Sequence, residues 1–243
     1  MSRSAPVNTA RALIDERYPK AQQAWLSGSV VLGGATSTSD LDVTVLLDEA
    51  EPHRVSLVYQ GWPVEVFVHT EASIRWFVAR DVARRRPTMA RLVSSGVALL
   101  PGGNGAVLQE QCAAVVAAGP APLTDAELTM ARYTLTDLLD DLAGGADQEL
   151  LDAIAIDVWR STAELHLAVN RAWTGSSKWL IRELRQLDEA TNGDVTSRLR
   201  VGLLAALSGT VSALTAVADE VLDDVGGRLW AGLHLAAPPA AKG

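Results

Sequence analysis

The segment Gly119-Pro120-Ala121-Pro122 divides the chain into two halves with different hydrophobic periods. Proline removes a backbone donor and fixes its own φ, so paired prolines beside a glycine stop regular structure. Before this segment, short β-branched runs alternate with helix-like stretches and tight turns. After it, Leu and Ala recur at three-to-four spacing almost to the end. The pattern predicts an α+β domain over 1–120 followed by an all-α helical bundle over 121–243. A hydrophobic content of 48% with 21% charged residues supplies enough apolar surface for both cores.

In the first half, Asn8 to Trp25 is expected to be helical, with Ala10, Leu13, Tyr18 and Ala21 near one side. A Gly28-Ser29 turn follows. Leu41 to Leu47, L-D-V-T-V-L-L, alternates as a strand does. Val55–Tyr59 and Val64–His69 read as a further pair, joined by a turn at Gly61-Trp62-Pro63. Glu71 to Val93 is helix-like, with a break at Pro87. A short strand at Val97–Leu100 and a helix over Ala106–Ala118 complete this half. In the second half, Thr124 and Glu127 offer a capping box. Helices are expected over about 124–143, Gln148–Trp173, from Lys178 onward, Asp194–Ala218 and Asp219–Leu229. The tail from Ala236 is expected to be a mobile loop.

Charge and cysteine usage exclude several classes. The net charge is −8. Residues 1–120 carry 11 basic and 11 acidic side chains, so the 10 basic and 18 acidic ones of 121–243 supply all of it. Such a surface repels phosphate backbones, so no stable nucleic-acid complex is expected. It suits a cationic small substrate, or it is simply the solvated face of helices. The one cysteine, Cys112, fits a reducing compartment and reads as a buried small hydrophobe. The N-terminus lacks the apolar region of a secretory signal. Val201 to Ala218 is apolar but rich in small residues and followed by two acids, which fits a bundle helix better than a membrane span. A cytoplasmic location is expected, with monomer and homodimer both open.

The chemistry concentrates at S-G-S-V-V-L-G-G-A-T-S-T-S-D-L-D-V, residues 27–43. On a strand, Asp40 and Asp42 project to one face. Two carboxylates so close repel each other unless a cation lies between them. Mg²⁺, which takes oxygen ligands and shares them with substrate phosphates, is the natural one. Glu65, set among valines in V-E-V-F-V, is the candidate third acid. Gly28 lets the backbone approach a ligand, and Ser29 offers a hydroxyl and an amide. No G-K-[ST] follows, so this is not a P-loop. A phosphate-binding turn beside metal-binding acids points to a nucleoside triphosphate and metal-assisted phosphoryl or nucleotidyl transfer. The four histidines, His53, His69, His166 and His234, show no metal-ligand spacing, and no zinc site is expected.

Gly-Ser, ten residues, Asp-Leu-Asp on a strand and a later acid together resemble the nucleotidyltransferase superfamily that includes DNA polymerase β. Within it the chain looks like the small antibiotic (aminoglycoside and lincosamide) nucleotidyltransferases and the minimal nucleotidyltransferases. The resemblance is carried by residues 28–65. It implies a mixed catalytic sheet with flanking helices, then a helical domain. It implies that Gly28 and Ser29 hold the triphosphate, ATP being the expected one. Asp40, Asp42 and Glu65 would bind Mg²⁺, and Glu65 or Glu164 would be the base. Gly175-Ser176-Ser177-Lys178-Trp179 resembles a G-x-x-K-W stretch of the family, which gives Lys178 a phosphate role. The segment after Gly-Ser departs from the pattern in lacking a basic residue, a gap that Lys178 or Arg84–Arg86 would fill. On the residues alone, Asp157, Arg160, Glu164 and Arg171 form a stripe that reads as a solvated, ion-paired helix face. The arginine cluster reads as a solvated helix end. Trp173 or Trp179 is a candidate for stacking on a base or sugar. The implied acceptor is a small hydroxylated molecule, a cationic antibiotic among them. Nucleotidylation of a partner protein or tRNA, or a non-catalytic nucleotide-binding role, are the alternatives.

Overall fold

The computed structural model describes residues 4–145 and 147–233. The tail from Ala236, and His234, lie outside these residues. The chain forms two compact units, Met1–Gly119 and Pro120–Gly243.

The first unit is a five-stranded mixed sheet flanked by helices. Its strands are β1 (Gln23–Ser27), β2 (Leu41–Leu46), β3 (His53–Tyr59), β4 (Trp62–His69) and β5 (Val97–Ala98). The spatial order is β3-β4-β2-β1-β5, with β2 and β4 parallel and every other pair antiparallel. The helices are α1 (Ser4–Arg17), the single turn α2 (Ser29–Leu32), α3 (Glu71–Ala83), α4 (Thr88–Ser94) and α5 (Ala106–Ala118).

Alternation sorts the two sheet faces. Leu26, Leu41, Val43, Val45, Val64, Val66 and Val68 pack with Ala10, Leu13 and Ile14 of α1. On the other face, Trp25 and Leu46 pack under Ile74 of α3, Met89, Ala90 and Val93 of α4, and Leu108 and Cys112 of α5. The Trp25 indole N–H donates to Gln109 at 3.1 Å, so the largest core side chain keeps its polar atom satisfied.

The first helix is shorter than its sequence pattern predicts. It ends at Arg17, and Trp25 lies in a strand instead. Pro19 interrupts the helix, and the five residues of β1 are all buried because α1 covers one face of the strand and α3, α4 and α5 cover the other. A strand buried on both faces has no alternation to read. The hairpin turn also moves. It lies at Gln60 and Gly61, with φ of 46° and 81°, and Trp62 and Pro63 belong to β4. Two left-handed residues in succession are what a tight two-residue hairpin requires. Pro87 separates α3 from α4 as expected.

The second unit contains α6 (Asp125–Ala143), α7 (Gln148–Val169), α8 (Lys178–Thr191), α9 (Val195–Ala206) and α10 (Ser212–Asp223). Thr124 and Glu127 form the expected capping box on α6. Leu135, Leu139, Val158, Leu165, Leu184, Leu199, Leu214 and Leu222 share one core. Three boundaries differ from expectation. Helix α7 ends at Val169, short of Trp173, so Arg171 leaves the stripe with a φ of 55°. The apolar stretch 201–218 breaks at Ser208-Gly209-Thr210, where Gly209 has a φ of 87°. Helix α10 then runs through Asp219, since Leu214, Val217, Ala218, Val221 and Leu222 form one continuous buried face. Beyond it, residues 224–230 are not helical. They are held against α6 by Arg132 bonding the carbonyls of Gly226 and Gly227, and by Arg228 bridging Asp219 and Asp140. No helix of the described residues is long and apolar enough to cross a membrane.

Helices α9 and α10 meet at Gly202. A β-carbon there would lie 2.8 Å from the Leu214 α-carbon and 2.9 Å from its nitrogen. Backbone cannot yield as a side chain does. Gly202→Ala is therefore expected to destabilise the protein by about 1–3 kcal/mol, read as a lower denaturation midpoint in urea.

Candidate active site

One row of residues crosses the sheet. Asp42 of β2 stands opposite Ser27 of β1 on one side and Glu65 of β4 on the other, and Glu65 stands opposite Ser56 of β3. The helices of the covered face lie over Thr44 and Leu46, which are buried, and burial relaxes at Asp42 and Glu65. Asp40, two residues before Asp42, joins them. Ligand oxygens of Asp40, Asp42 and Glu65 all lie within 4.8 Å of one another. Glu65 is less enclosed than its valine neighbours imply. Val64 and Val66 face α1, and Glu65 faces the opposite side.

The turn after β1 is built against this cluster. Gly28 has a φ of 78°, a conformation that favours glycine. Its missing side chain matters as well, because a β-carbon there would collide with the Asp42 carboxylate. The Ser29 hydroxyl donates to Ser39 Oγ at 2.9 Å, and Ser39 Oγ accepts the Thr36 amide at 2.8 Å. Ser39 precedes Asp40, so this contact ties the Gly-Ser turn to the first acid. Gly28, Ser29, Asp40, Asp42 and Glu65 are therefore brought together within one unit.

One participant escapes sequence reasoning. Arg54 of β3 stands opposite Phe67, two positions along β4 from Glu65. Its guanidinium pairs with Glu65 Oε1 and lies 5.4 Å from the centre of the Phe67 ring. The signal was present, since Arg54 alternates with Val55 and Leu57 in H-R-V-S-L-V-Y. Reading it required the hairpin register, which depends on placing the turn at Gln60-Gly61.

The remaining candidates lie on other elements. Glu164 sits half-buried on α7 and Lys178 is the exposed first residue of α8, both in the second unit. Asp157 and Arg160 pair at 3.4 Å on an exposed face, as the solvated reading has it. Trp173 is buried and has no open face for a base, whereas Trp179 is partly exposed and carries Arg182 at 4.8 Å from its ring. Arg84 pairs with the buried Asp81, whose other oxygen accepts the Met89 amide at 2.9 Å, so this acid organises the turn at Pro87. Burial pushes the Cys112 thiol up to about 11, which leaves it protonated and unreactive near neutral pH. Among the described residues, the three acids are the one group of this kind, and no histidine joins it.

Residues 7–88 match the family model of the nucleotidyltransferase domain. Among solved structures, the chain is similar to a nucleotidyltransferase-like protein from Exiguobacterium sibiricum 255-15. The identity is 14%, over 90% of this chain and 80% of that one, with a TM-score of 0.40. No curated protein matches the chain at a significant level. The family match takes in most of α1, the Gly-Ser turn, all three acids and Arg54, and residues 7–88 thereby carry a nucleotidyltransferase domain.

Proposed function

We propose that the protein transfers a nucleoside monophosphate from a nucleoside triphosphate, ATP first among them, to a hydroxyl of a small molecule, releasing pyrophosphate. The observation that carries this reading is the convergence of Asp40, Asp42 and Glu65 beside the Gly28-Ser29 turn. The donor set suits Mg²⁺. Its bonds to oxygen are about 2.0–2.1 Å, so two ligands of one ion lie at most about 4.2 Å apart. The 4.8 Å spread is within a small side-chain adjustment of that. Asp40, Asp42 and Glu65 would hold the ion. Bound there, it supplies positive charge against the phosphate oxygens.

The chain's own groups do the rest. Gly28 keeps the backbone open to the triphosphate, and the Ser29 hydroxyl is fixed by Ser39 at the edge of the same space. A carboxylate takes the proton of the acceptor hydroxyl, with Glu65 and Glu164 the candidates. The freed oxygen attacks the α-phosphorus in line, and pyrophosphate leaves. In this reading residues 1–120 are the catalytic domain and 121–243 a helical domain, in which Lys178 is a candidate phosphate contact. The 18 acidic against 10 basic residues of 121–243 favour a cationic acceptor, of which a cationic antibiotic is an example.

Incubation with an α-labelled nucleoside triphosphate, Mg²⁺ and a panel of hydroxylated compounds tests the reading. Label is expected on a small molecule. Label on a protein or RNA from lysate would move the acceptor to a macromolecule, and binding without transfer would favour a regulatory role. Asp40→Ala and Asp42→Ala are expected to abolish transfer with the thermal melt retained, and full activity in either would sink the assignment. Gly28→Ala is expected to weaken metal binding or turnover by about 10–100-fold, because the new methyl displaces a ligand carboxylate.

A further inference from the structure

Glu65 is asked to do two things at once. In the proposed function it is a metal ligand, and in this structure its Oε1 carries the Arg54 guanidinium. A guanidinium and a divalent cation cannot both approach one carboxylate closely without repelling each other. The pair is also displaceable. The Arg54 side chain is 56% exposed and that of Glu65 24%, so solvent screens their attraction. Arg54 sits on β3, the outer strand of the sheet, where its side chain can move without disturbing the ladder. The Phe67 face beneath it keeps the guanidinium beside the acids rather than loose in solvent.

We propose that Arg54 is a built-in counter-ion that competes with the divalent cation for Glu65. The idea rests on the metal role given to the three acids above. With Arg54 in place, the cluster takes up free metal poorly. When metal arrives with a triphosphate, the added negative charge offsets the repulsion, and the handicap shrinks. Loading of the site is thereby biased toward the metal–nucleotide pair over the bare ion. A purely positioning role for Arg54, orienting Glu65 for the ion, makes the opposite prediction about free metal.

Titration of the full-length, nucleotide-free protein with Mn²⁺, followed by electron paramagnetic resonance of the unbound ion, separates the two. Arg54→Gln is expected to bind Mn²⁺ roughly five- to ten-fold more tightly than the native protein. Arg54→Lys, which keeps the charge, is expected to stay near the native value. The gain is expected to vanish when Glu65→Gln is added, and to shrink when a nonhydrolysable ATP analogue is present. Equal or weaker binding by Arg54→Gln, or the same gain without the Glu65 carboxylate, overturns the proposal. Asp42→Asn serves as the separate control. Binding that depends on Asp42 but is unmoved by Arg54→Gln defeats the Arg54 proposal alone. Binding that ignores Asp42, or no binding in any variant with or without nucleotide, defeats the metal site itself and this proposal with it.

Discussion

The parallel pairing of β2 with β4 is the contact on which the rest of this site depends. It puts Asp42 directly opposite Glu65. A slip of one residue would turn Glu65 toward α1 and bring valine to the acid row. The register is held by the valines of both strands, which fill the face against α1. Core packing on one side of the sheet thus sets the carboxylate geometry on the other. The cost is electrostatic. Acids gathered within 4.8 Å repel each other, and a globular core gives no reason to gather them. A cation does.

Around this pairing the neighbouring elements meet specific demands. Gly28 must be glycine for two independent reasons, its positive φ and the Asp42 carboxylate that fills the place of its side chain. Ser39 links the turn to the acid loop through Ser29. Arg54 offsets part of the negative charge from the outer strand. These contacts are local to the first unit and independent of the helical unit's core.

Much of this was legible in the sequence because it is periodic or short-range. The alternation of L-D-V-T-V-L-L, the capping box at Thr124 and the break at Pro87 are each decided by a few adjacent residues. The spacing of two pairs Asp40 with Asp42, and they do converge, although Asp40 lies just before β2 and not on it. What stayed hidden is non-local. β1 has no alternation, since both of its faces are covered, and it passed for the end of a helix. Arg54 became visible as a partner of Glu65 only once the hairpin register was known. In the second unit, the break at Gly209 was masked by the continuous apolar composition on either side of it.

The central claim is that Asp42 and Glu65 of two neighbouring strands converge with Asp40, just before the first of them, to hold one divalent cation for nucleotidyl transfer. A crystal structure with Mn²⁺ and a nonhydrolysable nucleoside triphosphate, phased for the anomalous signal of manganese, tests it most directly. The account predicts a manganese peak bonded to oxygens of Asp40, Asp42 and Glu65, with the triphosphate against Gly28 and Ser29. A nucleotide bound with manganese away from these carboxylates would contradict it.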